Sequence, residues 1–185
     1  MENSILQGLS GEVKLRYEEV LSQLCLIGRI NEQVALLEDM PRLCLSIVGA
    51  IIDFTSAENC SIMLNDPETG DLKLFVAKGK GDGGSFFGSD KPPTTILSTG
   101  EGVAGLVAEK GQMISVNDCA SDTRFVTLQS ASKKVNSMIS APLLSDDSVM
   151  GVINCSHSEK GRFREIDKQN VALVADHTAT LLQKA

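Results

Sequence analysis

Residues 100–118 read GEGVAGLVAEKGQMISVND: a glycine-rich turn, an apolar segment too short for a free-standing helix, a stop at Gly111, and an extended segment Gln112–Val116 that closes on Asn117-Asp118. A connection of this kind packs against a sheet and leaves its loops over one face. Its spacing Gly100-x-Gly102-x-x-Gly105 also fits the dinucleotide fingerprint, with Asp118 about where the ribose-binding acid belongs. The flanks reject that reading. The fingerprint follows directly on a buried apolar strand, whereas Pro92-Pro93-Thr94-Thr95-Ile96-Leu97-Ser98-Thr99 leads in here. It also opens a full crossover helix, whereas Gly111 ends this one after about two turns.

On the C-terminal side, Ser137–Leu144 and Val149–Ser156 are apolar and rich in β-branched residues, and Ser145-Asp146-Asp147-Ser148 between them makes a turn, so the pair predicts a hairpin. Alternation places Met150, Val152 and Asn154 on one face and Val149, Gly151, Ile153 and Cys155 on the other. Asn154 stands out, because an amide amid an apolar strand needs hydrogen-bond partners from a loop or a ligand. On the N-terminal side, Cys60–Leu64 and Leu72–Ala77 predict a second hairpin around Asp66-Pro67-Glu68-Thr69-Gly70. Gly79–Thr95, with its glycines and the Pro92-Pro93 pair, predicts a long loop without regular structure that carries Phe86-Phe87.

Helices are expected at the ends. Residues 12–30 carry Val13, Tyr17, Val20, Leu24 and Ile27 at alternating spacings of four and three, and 165–183 carry Val171, Val174, Thr178 and Leu181 in the same manner. Between them, Asp39 caps a core helix to about Phe54, with Pro41 in its first turn and Leu43, Ile47, Ala50 and Ile51 as its buried stripe. The fold class expected is α/β of the α+β type: a central antiparallel sheet of five or six strands, the first two helices and the last on one face, and loops over the other.

A formal charge of −7 with 17 scattered basic residues lacks the footprint of a phosphate-backbone binder, so no nucleic-acid partner is expected. The longest nearly apolar run, Leu43–Ile52, is too short to span a bilayer, and Met1–Gly11 has no signal-peptide pattern, so no membrane contact and a cytoplasmic location are expected. Five cysteines without a C-x-x-C pair argue against a disulfide framework or a structural zinc site. Cys119, in a loop, is the one candidate reactive thiol. His157 and His177 stand apart from ligand-spaced residues, so no metal is assigned. No G-x-S-x-G, Walker or H-E-x-x-H pattern occurs, and the chain is read as not an enzyme.

The central stretch resembles the middle of a GAF domain, a small-molecule sensory module of signalling proteins. The resemblance rests on Gly100-Glu101-Gly102, Ala104-Gly105, Val107-Ala108-Glu109, Gly111, Val116 and Asp118. It continues through Arg124-Phe125, Ser137 with Ala141-Pro142-Leu143, Gly151-Val152-Ile153-Asn154, and Phe163 with Asp167. It implies a regulatory domain over 35–185 behind an N-terminal signalling helix over 1–34, part of a larger bacterial-type signal-transduction protein. Its ligand would lie beneath the loops 79–95 and 117–133, against Phe87, Val103, Val116, Asp118, Arg124, Phe125, Ser140 and Asn154. Arg124 would hold an anionic group, and Phe87 and Phe125 would wall the pocket; the alternative is that Arg124 pairs with Asp118 or Asp122 to order the loop. The family's cyclic-nucleotide pattern is broken here, since Lys168 follows Asp167 and the expected lysine is missing, and no cofactor is named. A ligand-free dimerisation module and a cysteine-dependent methionine sulfoxide reductase are the alternatives. In the latter, Ala104 occupies the position of a cysteine. A small sheet cannot bury every helical seam, so a parallel homodimer through 12–30 and 165–183 is expected.

Overall fold

The computed structural model describes residues 10–32, 39–86, 95–126, 134–146 and 148–184. Along the chain come α1 (Gly11–Asn31), α2 (Met40–Phe54), β1 (Asn59–Asn65), β2 (Leu72–Gly79), β3 (Ser85–Phe86) and β4 (Ile96–Leu97). They are followed by α3 (Gly102–Lys110), β5 (Ile114–Val116), β6 (Ser137–Ser145), β7 (Ser148–His157) and α4 (Glu165–Leu182). The six strands β3-β2-β1-β7-β6-β5 form one antiparallel sheet, and β4 adds a short pairing to β2. This is the α+β sheet that the two hairpins predict.

One of those strands comes from residues whose composition suggests only loop. Gly81 and Gly84 take φ of +84° and +80°, and the Asp82 carboxylate accepts the N–H groups of Gly79 and Gly84, so the chain reverses tightly enough to lay Ser85–Phe86 against Ala77 and Val76. β4 pairs Leu97 with Leu72.

The strands β1, β6 and β7 have two unlike faces. One presents Cys60, Ile62, Ile139, Ala141, Ile153 and Cys155 to α2 and α4, where all are buried together with Ile47, Val48, Ile51, Val171 and Val174. Cys60 and Cys155 oppose each other there with their sulfurs 3.7 Å apart, and burial raises the Cys60 thiol well above its ordinary range. The other face is covered in part by α3, through Ala104, Val107 and Ala108 against Met63, Leu72, Leu97 and Val152.

Alternation along β7 holds from Gly151 onward and breaks below it. Gly151 pairs with Leu143 and Val149 with Leu144, so Met150 is an extra residue, a β-bulge. The bulge exchanges the two faces: Met150 packs with the α2/α4 core and Val149 with the α3 cluster, the reverse of the strict alternation predicted. Gly151 is required here, because a Cβ would sit 2.2 Å from the Met63 carbonyl oxygen.

The helix ends are fixed by few groups. Asp39 accepts the Arg42 N–H and starts α2. Asp167, fully buried, accepts the N–H groups of Arg164 and Ser56, so it caps α4 and ties it to the end of α2. The two terminal seams part company. Val171, Val174, Thr178 and Leu181 are buried within the chain's own core, which removes α4 from the dimer seam expected of it. In α1 only Leu26 and Ile30 are buried, joined by the ion pair Arg29–Asp53 and the contact of Asn31 with His177, while Val13, Tyr17, Val20 and Leu24 lie exposed.

Candidate functional site

The turn ahead of α3 is built by close backbone approach. Glu101 N–H bonds to Ser98 O, Gly105 N–H to Glu101 O, and Gly100 N–H to Gly105 O. A Cβ on Gly105 would meet Ser98 O at 2.5 Å, and Gly100 and Gly102 have φ of +86° and +66°. These glycines therefore serve packing, the role they have here in place of the rejected pyrophosphate cradle. Gly111, at φ +62°, ends α3 and returns the chain to β5.

The tight turn sets α3 over one end of the sheet and leaves the rest of that face open as a cleft of ≈ 950 Å³. Its floor is two adjacent rows across β1 and β7: Ser61 beside Asn154, and Asn59 beside Ser156. Met138 extends the second row on β6. Its walls are largely apolar, formed by Met63, Leu74, Leu97, Val103, Ala104, Phe125, Val126 and Val135, with Cys119 between α3 and β6. Such a volume, with an apolar wall and a few polar groups, is the usual form of a small-molecule site.

The wall loops are tied to the end of β7. Cys119 N–H bonds to Asn136 O, and Asn136 N–H to His157 O. Gly161 N–H bonds to Asn117 O, and Lys160 Nζ lies 2.8 Å from Asp118 Oδ2. The hydrogen bond from Lys160 holds the Asp118 carboxyl below its ordinary pKa. His157, nearly buried, accepts the Glu159 N–H on Nδ1 and lies 3.4 Å from Glu58 through Nε2.

Of the residues assigned to the ligand from sequence, Val103, Phe125 and Asn154 line the cleft. Val116 is buried behind it with Val103, Cys119 and Met138. Ser140 stands next to Asn154 on β6, fully buried and outside the lining. Arg124 does not line the cleft: its Nε and Nη2 lie 2.9 and 2.6 Å from the two oxygens of Asp122. This fork holds the Asp122 carboxyl at about 2, so the loop-ordering alternative describes the geometry. Asp118 is likewise engaged with Lys160. Phe87 lies outside the described residues. Phe163 and Asp167, which carry part of the resemblance, are a core residue and a helix cap.

The cleft's chemistry is neutral at its floor. Asn154 Oδ1 and Ser140 Oγ are buried without a hydrogen-bond partner. The Lys78 side chain crosses to the other face, with Nζ close to where a Gly49 Cβ would lie. Cys119, the candidate reactive thiol, is buried, and desolvation with the nearby Asp122 and Asp118 pushes its thiol up to about 11, which keeps it protonated. Among the described residues no three His, Cys, Asp or Glu side chains group as a metal site, and no helix is long and apolar enough to cross a membrane.

The GAF domain profile matches residues 38–183. No curated protein matches the sequence. Among solved structures, the GAF domain of a phosphoenolpyruvate-protein phosphotransferase from Coxiella burnetii has a TM-score of 0.76 at 19% identity, covering 89% of this chain and 95% of its own. The corresponding domain from Acinetobacter gives 0.71 at 20%, covering 88% and 94%. The free methionine-R-sulfoxide reductase of Neisseria meningitidis, solved with its substrate, gives 0.67 at 17%, covering 87% and 90%. That last neighbour overturns the reading of the chain as not an enzyme: enzymes are built on this fold, and the missing motifs on which the reading rested do not exclude their chemistry. At these identities the neighbours speak for the fold alone. The profile match spans most of the sequence and contains the sheet, α3 and α4, and the chain belongs to the GAF domain family.

Proposed function

We propose that this GAF domain binds a small molecule in the cleft between α3 and the loops over β1 and β7, and acts as a regulatory module of a larger cytoplasmic signalling protein. The observation that carries this reading is the cleft floor: a polar row set within apolar walls, in which Asn154 Oδ1 lies buried and unpartnered. A buried acceptor without a partner costs about 1–3 kcal/mol, and a ligand that supplies the donor recovers it. The GAF domains solved from phosphoenolpyruvate-protein phosphotransferases are domains of larger proteins, and the proposal extends that setting to this chain.

The output proposed is a parallel homodimer through α1. Val13, Tyr17, Val20 and Leu24 are exposed, and their four-three spacing with Ile27 is the heptad seam that a second copy of the same helix meets in register. α1 is anchored to α2 and α4 through Leu26, Ile30 and Arg29, so a shift in the core on ligand binding bears on the paired helices. A thermal-shift screen of metabolite-sized compounds tests the binding. A ligand present at a hundred times its Kd is expected to stabilise the fold by about 2.7 kcal/mol. A screen in which no compound shifts the melting temperature, or in which the shifts survive Asn154→Leu, would count against the cleft.

A further inference from the structure

We propose that the ligand of this cleft is a small neutral carboxamide, cyclic amides included, which lays its amide edge against Asn154; this rests on the reading of the cleft as a binding site. Ser61, Asn154 and Ser140 stand side by side on β1, β7 and β6; Asn154, which lines the cleft, has an unpartnered Oδ1, and the unpartnered Ser140 Oγ lies beside it beyond the lining. An unmet acceptor requires an N–H or O–H from the ligand. A side-chain carboxamide presents its acceptor and its donor in one plane, and the group that answers both at once is a second carboxamide.

Charge disfavours the two obvious competitors. A ligand carboxylate would set oxygen against Asn154 Oδ1 and would leave water for a floor of neutral groups. Of the nearby cations, Arg124 is bound to Asp122 and Lys78 reaches over Gly49 on the opposite face, while Lys134 lines the cleft from an exposed position where water screens its charge. An ammonium ligand would find Asp122 already paired with Arg124, and Asp82, still negative, already committed to the N–H groups of Gly79 and Gly84. The apolar walls at Val103, Leu97 and Phe125 suit the flat, uncharged body of such an amide.

The test uses matched pairs that differ only in the amide: nicotinamide against nicotinate and benzamide against benzoate, titrated into the full chain and followed by calorimetry and by backbone amide shifts. The amide of each pair is expected to bind at least ten-fold more tightly than its acid, with shifts at Ser61, Asn154 and Phe125. Asn154→Leu and Asn154→Ala are expected to remove that preference without lowering the melting temperature. Acids that bind as well as the amides would overturn the amide class while leaving the cleft as a binding site. If no member of either pair binds but another compound shifts the same residues, the class also falls alone. If a fragment library leaves every cleft signal unmoved, the binding reading falls with it. If both Asn154 variants lose several degrees of stability and keep their amide preference, Asn154 serves the fold, by way of a trapped water shared with Ser140, and the proposal is wrong.

Discussion

Ile153 and Asn154 are neighbours on one strand and belong to different environments. Ile153 points under α2 and α4, where its cross-strand neighbours Ile62 and Ala141 are apolar and closed off, while Asn154 points into a cleft between two serines with its carboxamide oxygen unpartnered. The first face holds the domain together. Unmet buried polar atoms occur on both sides, Thr178 Oγ1 and Asn170 Oδ1 on α4 and Asn154 Oδ1 and Ser140 Oγ across the sheet. Among the described residues, though, Asn154 is the one of these that lines a cleft, and such groups in native proteins call for an explanation. The same strands therefore provide a stability layer and, on the proposed function, a recognition layer with a period of two.

The largest effect is expected from moving polarity onto the closed face. Ile153→Asn removes a buried side chain and strands an amide among apolar neighbours, and should cost about 4 kcal/mol in urea unfolding. Asn154→Leu, one residue away, should change stability by no more than about 1 kcal/mol, in the stabilising direction. Equal losses from both would erase the distinction between the faces.

A second contrast sharpens the same point. α1 and α4 carry apolar residues at matching spacings, yet Leu181 is 4% exposed and Leu24 64%. Leu181→Glu should destabilise the domain by about 3 kcal/mol, because it puts a carboxylate into the core. Leu24→Glu should leave the unfolding free energy of the monomer within about 0.5 kcal/mol and abolish the dimer in sedimentation. A chain that sediments as a monomer at high micromolar concentration before any substitution would contradict the pairing through α1.

A smaller effect belongs to the cleft wall alone. The Arg124 fork, with the Arg124 N–H, holds Asp122 at about 2, below its ordinary value. A carboxylate depressed in the folded state adds stability that is complete above its unfolded pKa near 4 and is lost as pH falls through about 2. The amide signals of residues 119–126 should therefore broaden between about pH 4 and 2 while those of Ile139 and Ile153 persist, and Asp122→Asn should show the loosened loop at neutral pH. Simultaneous loss of wall and core signals would mean that the wall has no separate stability.

Much of the fold was legible because it rests on local patterns. The hairpins, the capped and striped α2, and the glycine stop after α3 each follow from residues within one element. β3, by contrast, depends on the pairing of Asp82 with Gly79 and Gly84, and the exchanged faces of Val149 and Met150 depend on a bulge whose signal, Gly151, is readable only against Met63 on another strand. Spacing showed that α1 and α4 each have an apolar face, but what covers a face is decided by the rest of the chain. In the cleft, Asn154 was conspicuous as an amide in an apolar strand. Arg124 and Asp118 are placed at the ligand by the family resemblance, and their engagement with Asp122 and Lys160 is set by three-dimensional proximity. Asp167 looked like part of a ligand pattern because a buried cap and a binding acid are the same residue type in sequence.

The most direct measurement for the binding cleft is a backbone amide titration of the whole chain with a fragment library. Ligands are expected to move Ser61, Val103, Cys119, Phe125 and Asn154 together, leave Ile139 and Val174 in place, and lose these shifts in Asn154→Leu. Fragments that bind elsewhere, or a cleft that stays silent throughout, would contradict the account.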